Sequence, residues 1–227
     1  MISLAQCMGA DCSHLVSLQQ DNQSFQLHPK AVSAWQIFRI EAIKAGFQPK
    51  IASAHRSFAR QLLIWNEKAT GRRPVLDDGE NPINISNLTE HELSFAILRW
   101  SALPGLSRHH WGSEIDIYDA SAMSSGYNLQ LTVEETKGGG VFGDFYTWLD
   151  SKLESKQNYC GFSRPYMSAG NGIAKEPWHL SLLEVASQCE ALIDKDKAYE
   201  FIAAQDIKLK KIVLHNFDEI FERFVCP

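Results

Sequence analysis

The segment 107–118, with the sequence SRHHWGSEIDIY, constrains the fold more than any other part of the chain. Apolar Ile115 and Ile117 alternate with acidic Glu114 and Asp116, and this period of two is typical of a strand with one buried face. A carboxylate between two isoleucines on a rigid strand is well placed to act as a hydrogen-bond acceptor or a metal ligand. The segment therefore predicts a strand that can carry Asp116 into a functional site.

A histidine upstream of this strand can provide a second ligand. His109 precedes Asp116 by seven residues, across a turn that Gly112 permits because glycine tolerates positive φ. A strand, a turn and a second extended piece can bring the imidazole and the carboxylate to one point, where they would form half of a zinc site. His110 competes for the same role, and the spacing to Asp116 does not decide between the two histidines.

The segment 176–180, with the sequence EPWHL, can supply the remaining groups. A hydrolytic zinc needs three protein ligands, an open position for water and a nearby carboxylate that takes the proton of that water. His179 can be the third ligand and Glu176 the proton acceptor. Pro177 lacks the N–H group that a strand ladder uses, so we expect this segment at a sheet edge or bulge.

These two blocks and a third one upstream resemble the VanY-like zinc D-alanyl-D-alanine carboxypeptidases and related peptidoglycan peptidases. The family pattern Ser-x-His-x-x-Gly-x-x-x-Asp is matched by Ser107, His109, Gly112 and Asp116. The upstream pattern Ser-x-x-Arg-Ser, followed by a glutamine, is matched by Ser53, Arg56, Ser57 and Gln61. The three blocks follow the family order between about residue 51 and residue 180, which is most of the chain.

The resemblance implies a zinc-dependent peptidase that hydrolyses D-amino-acid-containing peptides of peptidoglycan, with D-alanyl-D-alanine carboxypeptidase activity as the first expectation. Zn²⁺ would be held by His109, Asp116 and His179, and His110 would fall at a variable position of the pattern. Glu176 would be the catalytic residue, since it would accept the proton of the attacking water and deliver it to the leaving amine.

The resemblance also implies substrate contacts at three residues. Arg56 and Ser107 match positions that hold the terminal carboxylate of the substrate, and a guanidinium fork suits a carboxylate. Arg56 stands between a predicted strand, 50–54, and a helix that Ser57 can cap, where free N–H groups favour an anion. Without the resemblance, a surface ion pair would be the simpler interpretation of Arg56. Gln61 matches the glutamine of the pattern, although a helix glutamine commonly faces water.

Glu114 departs from the family pattern, in which a small residue is usual. It shares a strand face with Asp116, so it can point into or beside the site. One hypothesis is that it adds a negative charge that receives an amino group of the substrate. The other is that it is a solvated strand carboxylate.

The sequence leaves three alternative functions open. An L,D-carboxypeptidase or an endopeptidase could use the same zinc site, because no pattern in the chain specifies the bond that is cut. A non-catalytic zinc-binding module of similar fold is a second alternative, but Glu176 argues against it because a structural zinc needs no proton acceptor. A soluble domain with accidental spacing is the third, and three blocks in order argue against that.

We expect an α+β fold, in which a small, mostly antiparallel sheet carries the zinc site and helices pack outside it. At 227 residues the chain fits a single domain, 1–227, with a motif-bearing core at about 28–183 and a helical C-terminal segment at about 184–227. The polar segment 71–88 is predicted to be a long loop near the substrate groove. The stretch 9–15 holds three potential ligands but is expected to be a loop and a short strand.

Local patterns predict several helix starts. Pro29 suits the first position of a helix, and Ser57 suits the position just before one. Thr89 and Thr132 each precede a glutamate by three residues, which is the pattern of a capping box.

The charge and the cysteines bear on partners and compartment. A net charge of −5 argues against nucleic acid as the main partner, and no apolar run approaches the roughly 18 residues of a membrane span. We see no signal region at the start of the sequence, and the cysteines form an odd, scattered set that does not indicate a disulfide framework. They are Cys7, Cys12, Cys160, Cys189 and Cys226. We therefore expect a reduced, cytoplasmic monomer whose partner is a peptidoglycan-derived peptide.

Overall fold

Two antiparallel sheets and a set of surrounding helices form the fold, which a computed structural model describes over residues 2–154, 158–167 and 172–225. The strands in these ranges are β1 (Val16–Gln20), β2 (Gln23–Leu27), β3 (Pro49–Ser53), β4 (Glu114–Asp119), β5 (Phe162–Ser163) and β6 (His179–Leu182). The helices are α1 (Leu4–Cys7), α2 (Pro29–Lys44), α3 (Phe58–Ala69), α4 (Glu90–Leu98), α5 (Val133–Thr136), α6 (Gly143–Glu154), α7 (Leu183–Leu192), α8 (Lys195–Ala204), α9 (Lys210–His215) and α10 (Phe217–Phe224). The predicted α+β class is confirmed.

The larger sheet has the strand order β3-β4-β6-β5, and every neighbouring pair in it is antiparallel. Its register sets Ile117 of β4 opposite Ile51 of β3, and Asp116 of β4 opposite His179 of β6. Directly opposed residues of an antiparallel pair point their side chains to the same face. The sheet therefore brings two predicted ligands side by side, although 63 positions separate them in the chain.

The strand predicted after residue 113 is present as β4, but the expectation that only one of its faces is buried is wrong. Ile115 and Ile117 are buried on one face, and Glu114 and Asp116 are buried on the other. The polar face is covered because the preceding turn folds back over it and sets Arg108 against Glu114. Strands on both sides protect the backbone of β4 as well.

The expected sheet edge around Pro177 is also wrong. The N–H group of His179 donates to the Glu176 carbonyl, so these residues form a turn that leads into β6. β6 itself lies between β4 and β5 rather than at an edge. The ladder begins where the N–H group of Ile117 donates to the Trp178 carbonyl, one residue after the proline. Pro177 is tolerated because it stands outside the ladder.

The predicted helix starts are confirmed. Pro29 is the first residue of α2, and the Ser57 hydroxyl accepts a hydrogen bond from the Arg60 N–H group at the start of α3. Thr89 and Thr132 form reciprocal capping boxes at the starts of α4 and α5. These caps fix the directions in which the helices leave the sheet.

The segment 71–88 is held by specific contacts. Leu76 pairs with Pro82 in an isolated antiparallel bridge, and the indole N–H of Trp100 donates to the Asp77 carbonyl at 3.1 Å. These contacts place Leu76 at the wall of the cavity described below. The segment therefore borders the cavity through Leu76, and its role as a flap near a substrate groove stays a prediction.

Cys7 and Cys189 form a disulfide that joins α1 to α7, with their Cα atoms 5.5 Å apart. Both residues are buried. The interpretation of the cysteines as a set without a disulfide is therefore wrong, because a pair 182 positions apart leaves no local spacing pattern. Cys226 lies outside the described residues.

The C-terminal helices share one apolar core with the sheet. Phe217, Ile220 and Phe224 of α10 are buried in it, and the indole N–H of Trp65 donates to the Lys208 carbonyl at 2.9 Å. The C-terminal segment thereby packs against α3, which stands next to the predicted site. None of the helices in the described ranges has the length and apolar character that a membrane span requires.

Candidate metal centre

A cavity of about 250 Å³ opens beside β4 and β6. Six of the seven predicted site residues line it, and they are Arg56, Ser107, His109, Asp116, Glu176 and His179. The seventh, Gln61, lies behind the wall. The cavity thus collects residues from three sequence blocks that are far apart in the chain.

His109, Asp116 and His179 can offer one ligand atom each within 4.8 Å of one another. The His109 Nε2 atom lies 3.5 Å from Asp116 Oδ2, and the His179 Nδ1 atom lies 3.1 Å from Asp116 Oδ1. The two imidazole rings meet edge to face, with their centroids 4.9 Å apart. Two imidazole nitrogens and a carboxylate oxygen are a ligand set of catalytic zinc sites. The donor set and its convergence therefore fit Zn²⁺.

Each histidine is oriented by an acceptor on the nitrogen that faces away from the cluster. The His109 Nδ1–H group donates to the Ala54 carbonyl at 2.8 Å, which leaves Nε2 with its lone pair. The His179 Nε2 atom lies 2.7 Å from Glu114 Oε2, which leaves Nδ1 directed at Asp116. Such outer contacts fix the tautomer and the ring direction of a metal ligand.

Gly112 allows His109 to reach the strand. His109 lies in a 3₁₀ turn, Arg108–Trp111, which Gly112 ends with a left-handed φ of 71°. A Cβ atom at this glycine would lie 2.3 Å from Leu15 Cδ2 and 3.0 Å from the backbone nitrogen of His28. Only glycine therefore allows both the turn and its close packing.

His110 points away from the cluster. Its Nδ1–H group donates to the Arg56 carbonyl at 2.5 Å, and its Nε2 atom accepts a hydrogen bond from the Gly105 N–H group at 3.0 Å. Both nitrogens are occupied by the backbone, and burial lowers the pKa of His110 to about 3. The choice between His109 and His110, which spacing alone leaves open, is made by the 3₁₀ turn. The stretch 9–15 contributes no ligand to the cluster of His109 in the part of the chain that the structure describes.

Glu176 stands next to the cluster on the cavity wall. Its Oε2 atom lies 3.8 Å from His179 Nδ1. Burial raises the pKa of the Glu176 carboxyl to about 7; the charge of His179 opposes this shift and that of Asp116 adds to it. A carboxyl with a pKa near neutrality is suited to accept and return a proton.

The two histidines of the cluster differ in protonation. Burial lowers the pKa of His109 to about 4, so this imidazole is neutral at pH 7. Burial also disfavours the charged form of His179, but hydrogen bonds to Asp116 and Glu114 outweigh that effect and raise its pKa to about 10. A metal must take the lone pair that this proton occupies, so metal binding at neutral pH releases a proton.

Arg56 is presented to the cavity by Gln61. The Arg56 Nη1 atom donates to Gln61 Oε1 at 2.9 Å, and the Gln61 Nε2 atom donates to the Ala102 carbonyl at 2.7 Å. Gln61 is 0% exposed, so the interpretation of it as a solvent-facing helix residue is wrong. Its predicted substrate contact stays a prediction. Arg56 faces the negative charges of Asp116 and Glu176. Ser107 is buried at the cavity wall, and its hydroxyl does not cap the 3₁₀ turn that follows.

Three wall residues were not anticipated from the sequence. Lys68 is buried on α3 and its Nζ atom donates to Ser101 Oγ at 2.8 Å, while burial lowers its pKa to about 8. Tyr166 packs on the His179 ring with a centroid distance of 4.8 Å, and Phe224 of α10 lines the cavity. Lys68 follows Gln61 by two helical turns, so a helical projection could have found it. The other two depend on tertiary packing alone.

Glu114 does not enter the cavity, and both hypotheses about it are wrong. It is 0% exposed, so it neither meets solvent nor receives a substrate amine. It lies behind His179 and faces the Arg108 guanidinium, with Glu114 Oε2 3.5 Å from Arg108 Nε. Burial alone would raise the pKa of Glu114, but Arg108 and His179 lower it to about 2.

The sequence of most of the chain matches a known protein family. The sequence model of a family described as VanY, D-alanyl-D-alanine carboxypeptidase, matches residues 24–185. Two uncharacterized proteins of Haemophilus influenzae also match. One is 42% identical over 96 residues, which are 42% of this chain and 66% of the relative. The other is 27% identical over 121 residues, which are 52% of this chain and 89% of the relative.

Solved structures share the fold at 20% sequence identity. VanYB in complex with D-alanine-D-alanine aligns with a TM-score of 0.52 and covers 82% of this chain and 88% of its own. The vancomycin resistance D,D-pentapeptidase VanY, in a variant with bound Zn(II), aligns with a TM-score of 0.51. The alignment covers 89% of this chain and 92% of that protein. The LdcB LD-carboxypeptidase aligns with a TM-score of 0.51, over 88% of this chain and 76% of that protein. These alignments show that the chain has the same fold as these three proteins.

Proposed function

The chain belongs to the VanY family of D-alanyl-D-alanine carboxypeptidases, and from this premise we propose that it removes the terminal D-amino acid from peptidoglycan-derived peptides at the site of His109, Asp116 and His179. One observation carries the proposal: these three side chains converge in a cavity whose wall also holds Glu176. The cluster supplies the ligands and Glu176 supplies the proton acceptor that hydrolysis requires. A zinc-dependent peptidase needs both in one place.

His109, Asp116 and His179 would hold Zn²⁺, which supplies Lewis acidity towards the scissile carbonyl and lowers the pKa of a bound water to about 7. The protein contributes the directions of the ligands. Asp116 and His179 are fixed by the pairing of β4 with β6, and His109 by its bond to the Ala54 carbonyl. Rigid strands hold such ligands more accurately than a loop would.

Glu176 would move the proton. Its carboxylate takes a proton from the attacking water and then delivers it to the nitrogen of the leaving D-amino acid. Its position suits both steps, because Glu176 lines the cavity with its Oε2 atom 3.8 Å from His179 Nδ1, next to the cluster.

Arg56 would select substrates that end in a carboxylate. Its guanidinium lines the cavity and is held there by Gln61, and Ser107 lies on the same wall. Lys68 adds a second cation to that wall. A fixed cation pair near the catalytic cluster favours removal of a terminal residue over cleavage within a chain, since only a terminal residue brings a free carboxylate.

The peptide bond that is cut distinguishes two carboxypeptidase activities. A D,D-carboxypeptidase removes the last residue of a peptide that ends in D-alanyl-D-alanine, whereas an L,D-carboxypeptidase acts on the peptide that remains. LdcB, one of the structures with this fold, is an LD-carboxypeptidase. We propose the D,D activity because the family model carries that description over residues 24–185.

Three synthetic peptides test the proposal. They are a wall pentapeptide that ends in D-alanyl-D-alanine, the tetrapeptide that ends in a single D-alanine, and the pentapeptide with its terminal carboxylate converted to an amide. The proposal expects release of D-alanine from the first peptide, little D-alanine from the tetrapeptide and little D-alanine amide from the amidated pentapeptide. Release from the tetrapeptide alone would identify the L,D alternative, and equal cleavage of the amide would point to an endopeptidase.

The predicted cytoplasmic compartment and the monomeric state stay predictions. The Cys7–Cys189 disulfide gives a reason to test the compartment, because disulfides persist mainly in oxidising environments. Thiol labelling of the protein in separated cell fractions would decide the point. Light scattering of the purified protein would give its oligomeric state.

A further inference from the structure

A buried polar chain stands behind the ligand His179, and the proposed catalytic steps do not use it. Its first member is Glu114, whose Oε2 atom lies 2.7 Å from His179 Nε2. The other imidazole nitrogen, Nδ1, lies 3.1 Å from Asp116 Oδ1. The His179 ring is therefore held between two carboxylates, one on each nitrogen.

Glu114 cannot turn away from His179 without losing other hydrogen bonds. Its Oε1 atom accepts from Ser113 Oγ at 2.9 Å and from Ser181 Oγ at 2.8 Å. These two hydroxyls occupy one oxygen and leave the other for the imidazole. A buried carboxylate with both oxygens engaged has a single orientation.

Arg108 balances the charge of Glu114 and links it to α7. Its Nη2 atom donates to Ser181 Oγ at 2.8 Å, and its Nη1 atom donates to Glu190 Oε1 at 2.6 Å. The guanidinium also lies over the Trp111 ring, 4.4 Å from its centroid. The chain thus runs from the surface residue Glu190 through Arg108 and Glu114 to a metal ligand.

The two ligand histidines differ in the strength of their outer acceptors. His109 donates to a neutral backbone carbonyl, that of Ala54, whereas His179 donates to a carboxylate. A carboxylate acceptor raises the basicity of an imidazole more than a neutral one does.

We propose that Glu114 is a positioning residue for the zinc ligand His179: it accepts the Nε2–H bond, so that Nδ1 presents its lone pair to the metal, and Arg108 holds it in place. This inference rests on the proposed function, because it needs a metal at the cluster. It predicts that loss of the Glu114 carboxylate weakens zinc binding even when the fold is intact.

Zinc affinity of the full-length protein, measured by competition with a chromophoric chelator, tests this inference. The proposal expects Glu114→Gln to raise the Kd for zinc by about 10- to 100-fold, the usual cost of removing an outer partner of a ligand histidine. Glu200→Gln is the control, since it removes an exposed carboxylate of α8 that is not part of this polar chain, and it should change the Kd less than twofold. Near-ultraviolet circular dichroism in the presence of a chelator shows whether each variant is folded.

A cobalt spectrum adds a reading that packing alone would not change. In Co²⁺-substituted protein, the visible absorption bands report the field of the ligands, so Glu114→Gln should shift them while the control Glu200→Gln should not. The proposal is overturned if folded Glu114→Gln binds zinc within twofold of the wild type and gives the same cobalt spectrum.

A further test uses only the wild type, so its result cannot arise from a folding defect of a variant. With ¹⁵N-labelled histidine and zinc bound, long-range nitrogen–proton spectra should show His179 protonated at Nε2 and metal-bound at Nδ1. Coordination through Nε2 would overturn the proposal. If the wild type binds zinc in this way but cleaves no peptide, the proposed function fails while the role of Glu114 stands.

Discussion

Asp116 and His179 face each other directly across β4 and β6, with His179 Nδ1 3.1 Å from Asp116 Oδ1. The register of one strand pair therefore sets the distance between two of the three residues of the candidate metal cluster. A slip of one residue would turn one of the two side chains to the opposite face. The buried isoleucines on the other face of β4 oppose such a slip, since it would exchange them with carboxylates.

Zinc should stabilise the protein through this cluster. Because the metal binds the folded state and not the unfolded chain, a free zinc concentration of 100 times the Kd adds about 2.7 kcal/mol to the free energy of unfolding. Thermal unfolding of chelator-treated protein with and without added zinc measures the effect. His179→Ala should lose the zinc-dependent rise in Tm, and His215→Ala, which removes an exposed histidine of α9, should keep it. A rise of equal size in the His179 variant would show that zinc binds elsewhere.

Glu176→Gln should make the metal-free protein more stable at pH 8. The Glu176 carboxyl has a pKa of about 7 in the folded protein against an ordinary value of 4.5, because it is buried. The stability that its protonated form contributes is fully present below pH 4.5 and is lost as pH rises through 7. Above pH 7, the free energy of unfolding of the Glu176→Gln variant should therefore exceed that of the wild type by at most about 3 kcal/mol.

Urea unfolding in the presence of a chelator, at about pH 4 and pH 8, measures this difference. Glu200→Gln, which changes an exposed carboxyl on α8, serves as the control and should have little effect at either pH. An equal stability of Glu176→Gln and wild type at pH 8 would contradict the burial of a charged Glu176.

Arg56→Lys should reduce kcat/KM for a peptide with a free terminal carboxylate by about 10- to 100-fold, the cost of a charge-assisted hydrogen bond. The amidated peptide should be affected much less, since it has no carboxylate to lose. Gln61→Leu should act in the same direction and less strongly, because it removes the acceptor that holds Arg56 Nη1. Zinc content should stay at the wild-type level in both variants. Equal losses on both peptides would assign Arg56 a role other than carboxylate recognition.

The disulfide between Cys7 and Cys189 should contribute to stability. The double variant Cys7→Ser, Cys189→Ser should lose about 2–4 kcal/mol of the free energy of unfolding relative to the oxidised wild type. Thiol reductant should lower the Tm of the wild type to that of the double variant and leave the variant unchanged. A wild type whose Tm does not respond to reductant would contradict this prediction.

The sequence allows the metal cluster to be predicted because its residues lie in local patterns. A strand alternation identifies Asp116, and the family pattern selects His109, His179 and Glu176. The fold class and the helix starts follow from equally local signals, such as the capping boxes at Thr89 and Thr132.

The outer parts of the site depend on contacts between distant residues. Glu114 is buried because Arg108 folds back over it and because β6 brings His179 and Ser181 beside it. Gln61 is buried because it reaches the Ala102 carbonyl from another part of the chain. The partner of Cys7 likewise lies near the opposite end of the sequence. No periodicity or spacing contains these contacts, so only the folded structure gives them.

Zinc content and D-alanine release, measured together on wild type and Glu176→Gln, test the central claim most directly. Both proteins should bind a single zinc per chain, because Glu176 is not one of the three clustered ligands. Only the wild type should release D-alanine from the pentapeptide, because only it retains the proton acceptor. Release by zinc-loaded Glu176→Gln at the wild-type rate, or none by zinc-loaded wild type, would contradict the account.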